Sequence, residues 1–146
     1  MYLSSIIYSV SRGSMMKQGM EIGREETIEI VVTEDMFASF EGAVVHPVYS
    51  TVAMTYHMEW VSRKIILPFL EDHEEGMGAS VQLKHLAAST LGSTVSLTAT
   101  LVEHRANLVI TKVTAKNHLG IIGSGEVRQV ILPKETIAQK LMEASV

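Results

Sequence analysis

The feature that most restricts how this chain can fold is a change of hydrophobic period near its middle. From Ser50 or Thr51 to about Leu70, Val52, Met58, Val61, Ile65, Ile66 and Phe69 recur at helical spacing. Ser50 or Thr51 stands where a capping hydroxyl belongs, and Pro68 marks the far end. Beyond the charged turn EDHEEG at 71–76 the period drops to two. Residues 79–87, 93–103, 108–117 and 121–132 all carry strand composition, with turns at 104–107 and 117–120. No helical stretch separates these strands, so the crossovers that parallel pairing requires are missing. One long helix followed by four closely linked strands therefore predicts an antiparallel meander.

The flanks are simpler. Residues 27–33 (TIEIVVT) read as a first strand, 34–46 as a loosely patterned loop that can serve as a lid, and 134–144 as a short terminal helix after Pro133. A sheet that must cover one long apolar helix is expected to roll around it. The fold class is thus α+β, a hot-dog fold with an antiparallel sheet wrapped around one long central helix; a flat sandwich with the helix on one face fits the same pattern.

At 146 residues the chain has the length of one domain. We take 21–146 as that domain and 1–20, crowded with Met15, Met16 and Met20, as an N-terminal extension. The apolar fraction of 47% against 19% charged excludes a disordered chain. With no cysteine there is no disulfide framework, thiolate nucleophile or cysteine-bound zinc, and the cytoplasm is the expected compartment. A net charge of −4 with scattered Lys and Arg argues against nucleic acid as a partner. The apolar start Met1 to Val10 lacks a preceding basic region and is too short to span a bilayer, so no signal peptide or membrane partner is expected.

Three polar residues stand where chemistry is possible. Glu59 lies inside the apolar helix between Met58 and Trp60, and a carboxylate turned toward the sheet would have its pKa raised by burial, making it a base or nucleophile. The competing reading puts it on the exposed stripe, paired with Arg63 at i, i+4. His85 ends the run VQLKH, where alternation sets Val81, Leu83 and His85 on the inner face. It is either a proton shuttle or a structural core histidine. Thr51 at the helix start either caps backbone N–H groups or points at a reacting atom beside the positive helix end. Gly76, Met77 and Gly78 lead into the His85 strand and leave its backbone open to a ligand. Phe37, Phe40, Met54, Tyr56 and Trp60 are read as core. The remaining histidines show no metal-ligand spacing, so no metal is expected.

The runs HPVYSTVAMTYHMEWVSRKIILPFL, GMGASVQLKHLAAST and GSGEVRQVIL, in that order, resemble the fluoroacetyl-CoA thioesterase-like family of hot-dog proteins over roughly residues 20–141. The resemblance implies an acyl-CoA thioesterase for a small or medium acyl group, with Thr51, Glu59 and His85 as catalytic residues and Gly78 and Arg128 as substrate-binding ones. It implies no cofactor beyond the coenzyme A of the substrate, and a homodimer or dimer of dimers with sites at the interface. The phenylalanine lid of the family's namesake has no counterpart at Val44, Val45, His46 and Pro47, which argues against fluoroacetyl specificity. On one straight helix Thr51 and Glu59 would stand about 12 Å apart at ~1.5 Å per residue. Either Thr51 folds back in a loop, or a second subunit supplies it. Two other readings stay beside the hydrolase: a hydratase on the same fold, and a non-catalytic acyl-CoA-binding module. Lys64, Lys84, Arg105 and Lys116 are available to meet phosphates.

Overall fold

The computed structural model describes residues 16–146. Its elements are strand β1 (Glu25–Val31), strands β2 (Phe37–Phe40) and β3 (Ala43–Tyr49), helix α1 (Thr51–Ile66), strands β4 (Glu74–His85), β5 (Thr94–Arg105), β6 (Leu108–Asn117) and β7 (Gly120–Pro133), and helix α2 (Lys134–Glu143). Among the described residues no helix is long and apolar enough to cross a membrane.

Helix α1 begins where its cap dictates. Ser50 is extended and its hydroxyl accepts from the Ala53 N–H at 3.0 Å, leaving Thr51 as the first helical residue, its own hydroxyl not engaged in the cap. The helix stops at Ile66 and passes into a 3-10 turn, Leu67–Phe69, whose Pro68 has no N–H to continue the ladder. The face carrying Met54, Met58, Val61, Ile65 and Ile66 is fully buried, and each methionine sealed from water contributes roughly 1.5–3 kcal/mol.

The main sheet has the order β1-β5-β6-β7-β4, every neighbour antiparallel. Strands β5, β6 and β7 form the expected meander, but β4 does not extend it. Instead β4 lies across the sheet on the far side of β7, because the connection 86–93 carries the chain over to β5 rather than turning a hairpin. Helix α1 touches all five strands, so the sheet wraps it, and the flat sandwich alternative falls away.

The contact is close enough to need glycine. A Cβ on Gly123 would stand 2.5 Å from the Met54 sulfur, and one on Gly125 would stand 2.7 Å from that of Met58 and 2.8 Å from the Gln82 carbonyl. Two methionines of α1 thus sit in two notches of β7. On the opposite face Leu108, Ile110, Val130 and Leu132 form a second apolar cluster against Ile137 of α2.

Two boundaries differ from the sequence expectation. The stretch 34–46 is largely a hairpin: Glu41 and Gly42 both have positive φ, 53° and 80°, the turn that joins β2 to β3. Strand β4 starts five residues early, inside the charged run, because Glu74 is buried and its carboxylate accepts the Met16 N–H (2.9 and 3.0 Å) and the Glu71 N–H (2.9 Å). Residues 1–15 of the expected extension lie outside the described residues; Met16 and Met20 pack against the core.

Candidate functional site

Tyr49 Oη and His57 Nδ1 are hydrogen-bonded at 2.8 Å, both groups buried, and this pair underlies the N-terminal end of α1. The Tyr49 ring meets His57 stacked at 5.7 Å and meets His85 edge-on at 6.1 Å. Burial pushes the Tyr49 phenol far up and the His57 imidazole down, so at neutral pH the tyrosine keeps its proton and the histidine is uncharged. Neither residue was singled out from the sequence. For His57 the signal was its place three residues after Met54 and four before Val61, on the apolar face of the helix.

His85 stands at the end of β4 with Val81 and Leu83 on the inner face, as alternation requires. Its Nδ1 is 3.0 Å from Thr51 Oγ1 in a hydrogen bond. Its Nε2 is buried and has no partner among the described residues. The first turn of α1 contains no acidic residue, so the positive end of the helix beside Thr51 is not neutralised by its own side chains. Thr51 is inside the helix rather than in a loop folded back toward Glu59.

Glu59 belongs to a different cluster. It is exposed on the single chain, so the burial expected of it is absent there. Nor is it paired with Arg63, whose guanidinium reaches across to Glu75 at 2.8 Å and, chiefly by that hydrogen bond, draws the Glu75 carboxyl below the usual range. A Cβ on Gly78 would stand 2.8 Å from Glu59 Oε1, so the carboxylate rests directly on bare glycine backbone. A β-bulge follows at once in β4, between Gly78 and Ser80. Glu59 and Gly78 line a pocket of about 220 Å³ with Tyr56, Trp60, Arg63 and Gln129.

Arg128 is not in that pocket. It is exposed on the outer face of β7 and bonds Glu126 at 3.1 Å. The inner position belongs to the next residue, Gln129, buried and donating from Nε2 to the Ser62 carbonyl at 3.1 Å. Strand alternation from Val127 to Ile131 is the signal that separates the two. Among the described residues no group of three or more His, Asp or Glu could hold a metal.

One chain therefore carries two separate clusters, Thr51 with His85 and Glu59 with Gly78, two helical turns apart on α1. Comparison with known proteins gives them a context. The family model for fluoroacetyl-CoA-specific thioesterases matches residues 32–135. The chain belongs to this family. As a fluoroacetyl-CoA-specific thioesterase family member it is a thioester hydrolase, which sets aside the hydratase and the binding module.

Among its relatives in this family is the fluoroacetyl-CoA thioesterase of Streptantibioticus cattleyicolor, 29% identical over 134 residues, covering 88% of this chain and 96% of the relative. A solved structure of a fluoroacetyl-CoA thioesterase superposes with a TM-score of 0.82 at 27% identity, over 88% of this chain and all of the other. A Thermus thermophilus thioesterase superfamily member is 44% identical, with a TM-score of 0.81 over 88% and 97% of the two chains. The hot-dog fold is shared further by a hot-dog-like protein from Thermanaerovibrio acidaminovorans, at 18% identity and a TM-score of 0.80 over 86% and 93%.

Proposed function

We propose that this protein hydrolyses the thioester of a small or medium acyl-CoA at a composite site, with Thr51 and His85 from one copy facing Glu59 and Gly78 of another. The observation that carries the reading is the Thr51–His85 hydrogen bond at the positive end of α1, with His85 Nε2 buried and unpartnered. A buried ring nitrogen left open costs free energy unless a reacting group or a second chain completes it. A point mutant of a related fluoroacetyl-CoA-specific thioesterase, 28% identical, has been crystallised with fluoroacetate and CoA, which supports an acyl-CoA as the substrate class.

The position of β4 supports the two-copy arrangement. This strand is at the edge of the main sheet, with Gly78, Ala79 and Ser80 exposed. Antiparallel pairing of β4 with the same strand of a second copy would cover that edge and reverse the strand direction. It carries His85 of one copy toward the Gly76–Gly78 stretch of the other, where Glu59 lies. It also covers the exposed Trp60 on the same side of α1. A homodimer is the smallest assembly that does this.

In that site the Glu59 carboxylate attacks the thioester carbon to form an anhydride that water afterwards cleaves to free acid and Glu59, or it draws a proton from a water that attacks the carbon directly. The carbon–sulfur bond then breaks and the departing thiolate receives its proton through His85, while Thr51 holds the imidazole and the helix end stabilises the oxyanion. The expected compartment is the cytoplasm.

The test is release of free thiol from a panel of acyl-CoA esters. The parent should turn over, while Glu59→Gln and His85→Asn should each be nearly inactive. Mixing the two variants under conditions that exchange subunits should restore roughly a quarter of the activity, since half of random pairs are mixed and each holds one intact site. No recovery in verified mixed dimers would place all three residues of a working site on one chain and refute the composite arrangement.

A further inference from the structure

The Tyr49–His57 pair is not used by the proposed hydrolysis, yet it borders an opening that begins at Thr51. A groove of about 690 Å³ runs between the N-terminal half of α1 and the Phe37–Phe40 strand, lined by Phe37, Phe40, Thr51, Ala53, Tyr56 and His57. Its volume lies within the range of ligand sites, and its walls are mostly apolar. An acyl group whose carbonyl is held at Thr51 has this groove as its way in.

His57 supplies a directed polar group in that wall. The Tyr49 hydroxyl is buried and His57 Nδ1 is its partner among the described residues. A phenol that donated nowhere would leave its proton unsatisfied in the interior, so Tyr49 donates and Nδ1 accepts. The histidine proton then resides on Nε2. Among the described residues His57 lines the groove, and its Nε2 has no hydrogen-bond partner and is not one of the sealed, unpartnered polar atoms, His85 Nε2 and the Asn107 amide. It therefore presents an N–H donor to the groove. The charged side chain lining the groove is Asp35, which disfavours a second negative charge.

We infer that the groove selects a neutral acyl group bearing a hydroxyl or oxo acceptor beyond its α-carbon, which the Tyr49-oriented His57 Nε2–H binds. This rests on the acyl-CoA thioesterase reading and names the substrate class within it. Tyr49 is the positioning residue and His57 the specificity-determining one.

The experiment compares kcat/KM for butyryl-CoA and hexanoyl-CoA with that for their 3-hydroxy, 3-oxo and terminal-hydroxy derivatives, each pair measured on one sample. A ratio taken within one sample cancels the folded fraction, so a partly misfolded variant still reports. The parent should favour at least one derivative by about tenfold, the scale of one hydrogen bond. In His57→Leu the ratio should fall to about one, and in Tyr49→Phe, where the tautomer is no longer fixed, it should fall part of the way. Succinyl-CoA should not share the preference. Equal kcat/KM for every pair in the parent, or a preference that survives His57→Leu, would overturn the inference. If no ester is hydrolysed, the same ratios are read as Kd values of the non-hydrolysable thioether analogues. A polar preference there would uphold the groove while the hydrolytic reading failed.

Discussion

Replacing Gly78 by alanine separates the placement of Glu59 from the stability of the fold. The new Cβ would stand 2.8 Å from Glu59 Oε1, and ordinary contact begins near 3.4 Å, so the carboxylate must retreat by about 0.6 Å. Its other neighbour is the Glu59 Cδ at 3.7 Å, already acceptable. The obstructed atom is thus the tip of an exposed, flexible side chain, which can move at little cost. Strand propensity also favours alanine slightly over glycine. The melting temperature should therefore change by no more than a few degrees. Turnover should not be spared, because a displacement approaching 1 Å of a reacting group costs on the order of 100-fold. Thiol release and thermal unfolding measured on the same Gly78→Ala preparation give both numbers. A kcat within threefold of the parent would refute the role given to the Glu59–Gly78 contact. A large fall in melting temperature would show that the glycine serves the β4 backbone instead.

Ser50→Ala removes the cap of α1 and should destabilise the protein by about 1 kcal/mol in urea unfolding, with Ser50→Gly costing less. Thr111 Oγ1 donates to Ser62 Oγ at 2.7 Å with both residues fully buried; Thr111→Val should cost about 1–3 kcal/mol, and adding Ser62→Ala should recover much of it. Burial lowers the pKa of His57 and His104 in the folded chain, so between their folded values and the unfolded one near about 6.5 the unfolded chain binds more protons. Stability should accordingly fall as pH drops from about 7 through that window and level off below it, and His57→Asn should flatten the melting-temperature profile.

The parts of the fold that could be read from sequence are those where one local rule acts alone. Strand β6 coincides with the expected 108–117 because turns bound it on both sides, although its first four residues are all buried, and α1 starts within one residue of its expected cap because burial on one face imposes a clean period. The β2–β3 hairpin escaped because its turn places Glu41, rather than Asn or Asp, at the first positive-φ position. The start of β4 escaped because Glu74 looks solvated until the Met16 and Glu71 amides that bind it are in place. Its position beside β7 is a tertiary outcome that no local pattern records. Within the site, inward alternation located His85 correctly, and the same rule applied to β7 separates Gln129 from Arg128. What alternation cannot reveal is distance: Thr51 and Glu59 share a helix, and its rigidity keeps them apart.

The two methionine notches in β7 give the helix its register. With Met54 lodged over Gly123 and Met58 over Gly125, α1 can neither slide along the sheet nor rotate without driving a sulfur into a ridge. Thr51 lies three residues before the first anchor, and Glu59 follows the second directly. The groups proposed to react are thus indexed to the sheet by two buried methionines. An alanine at either glycine would act like a shim, lifting one end of the helix and throwing hydroxyl and carboxylate out of step with the strand that bears His85.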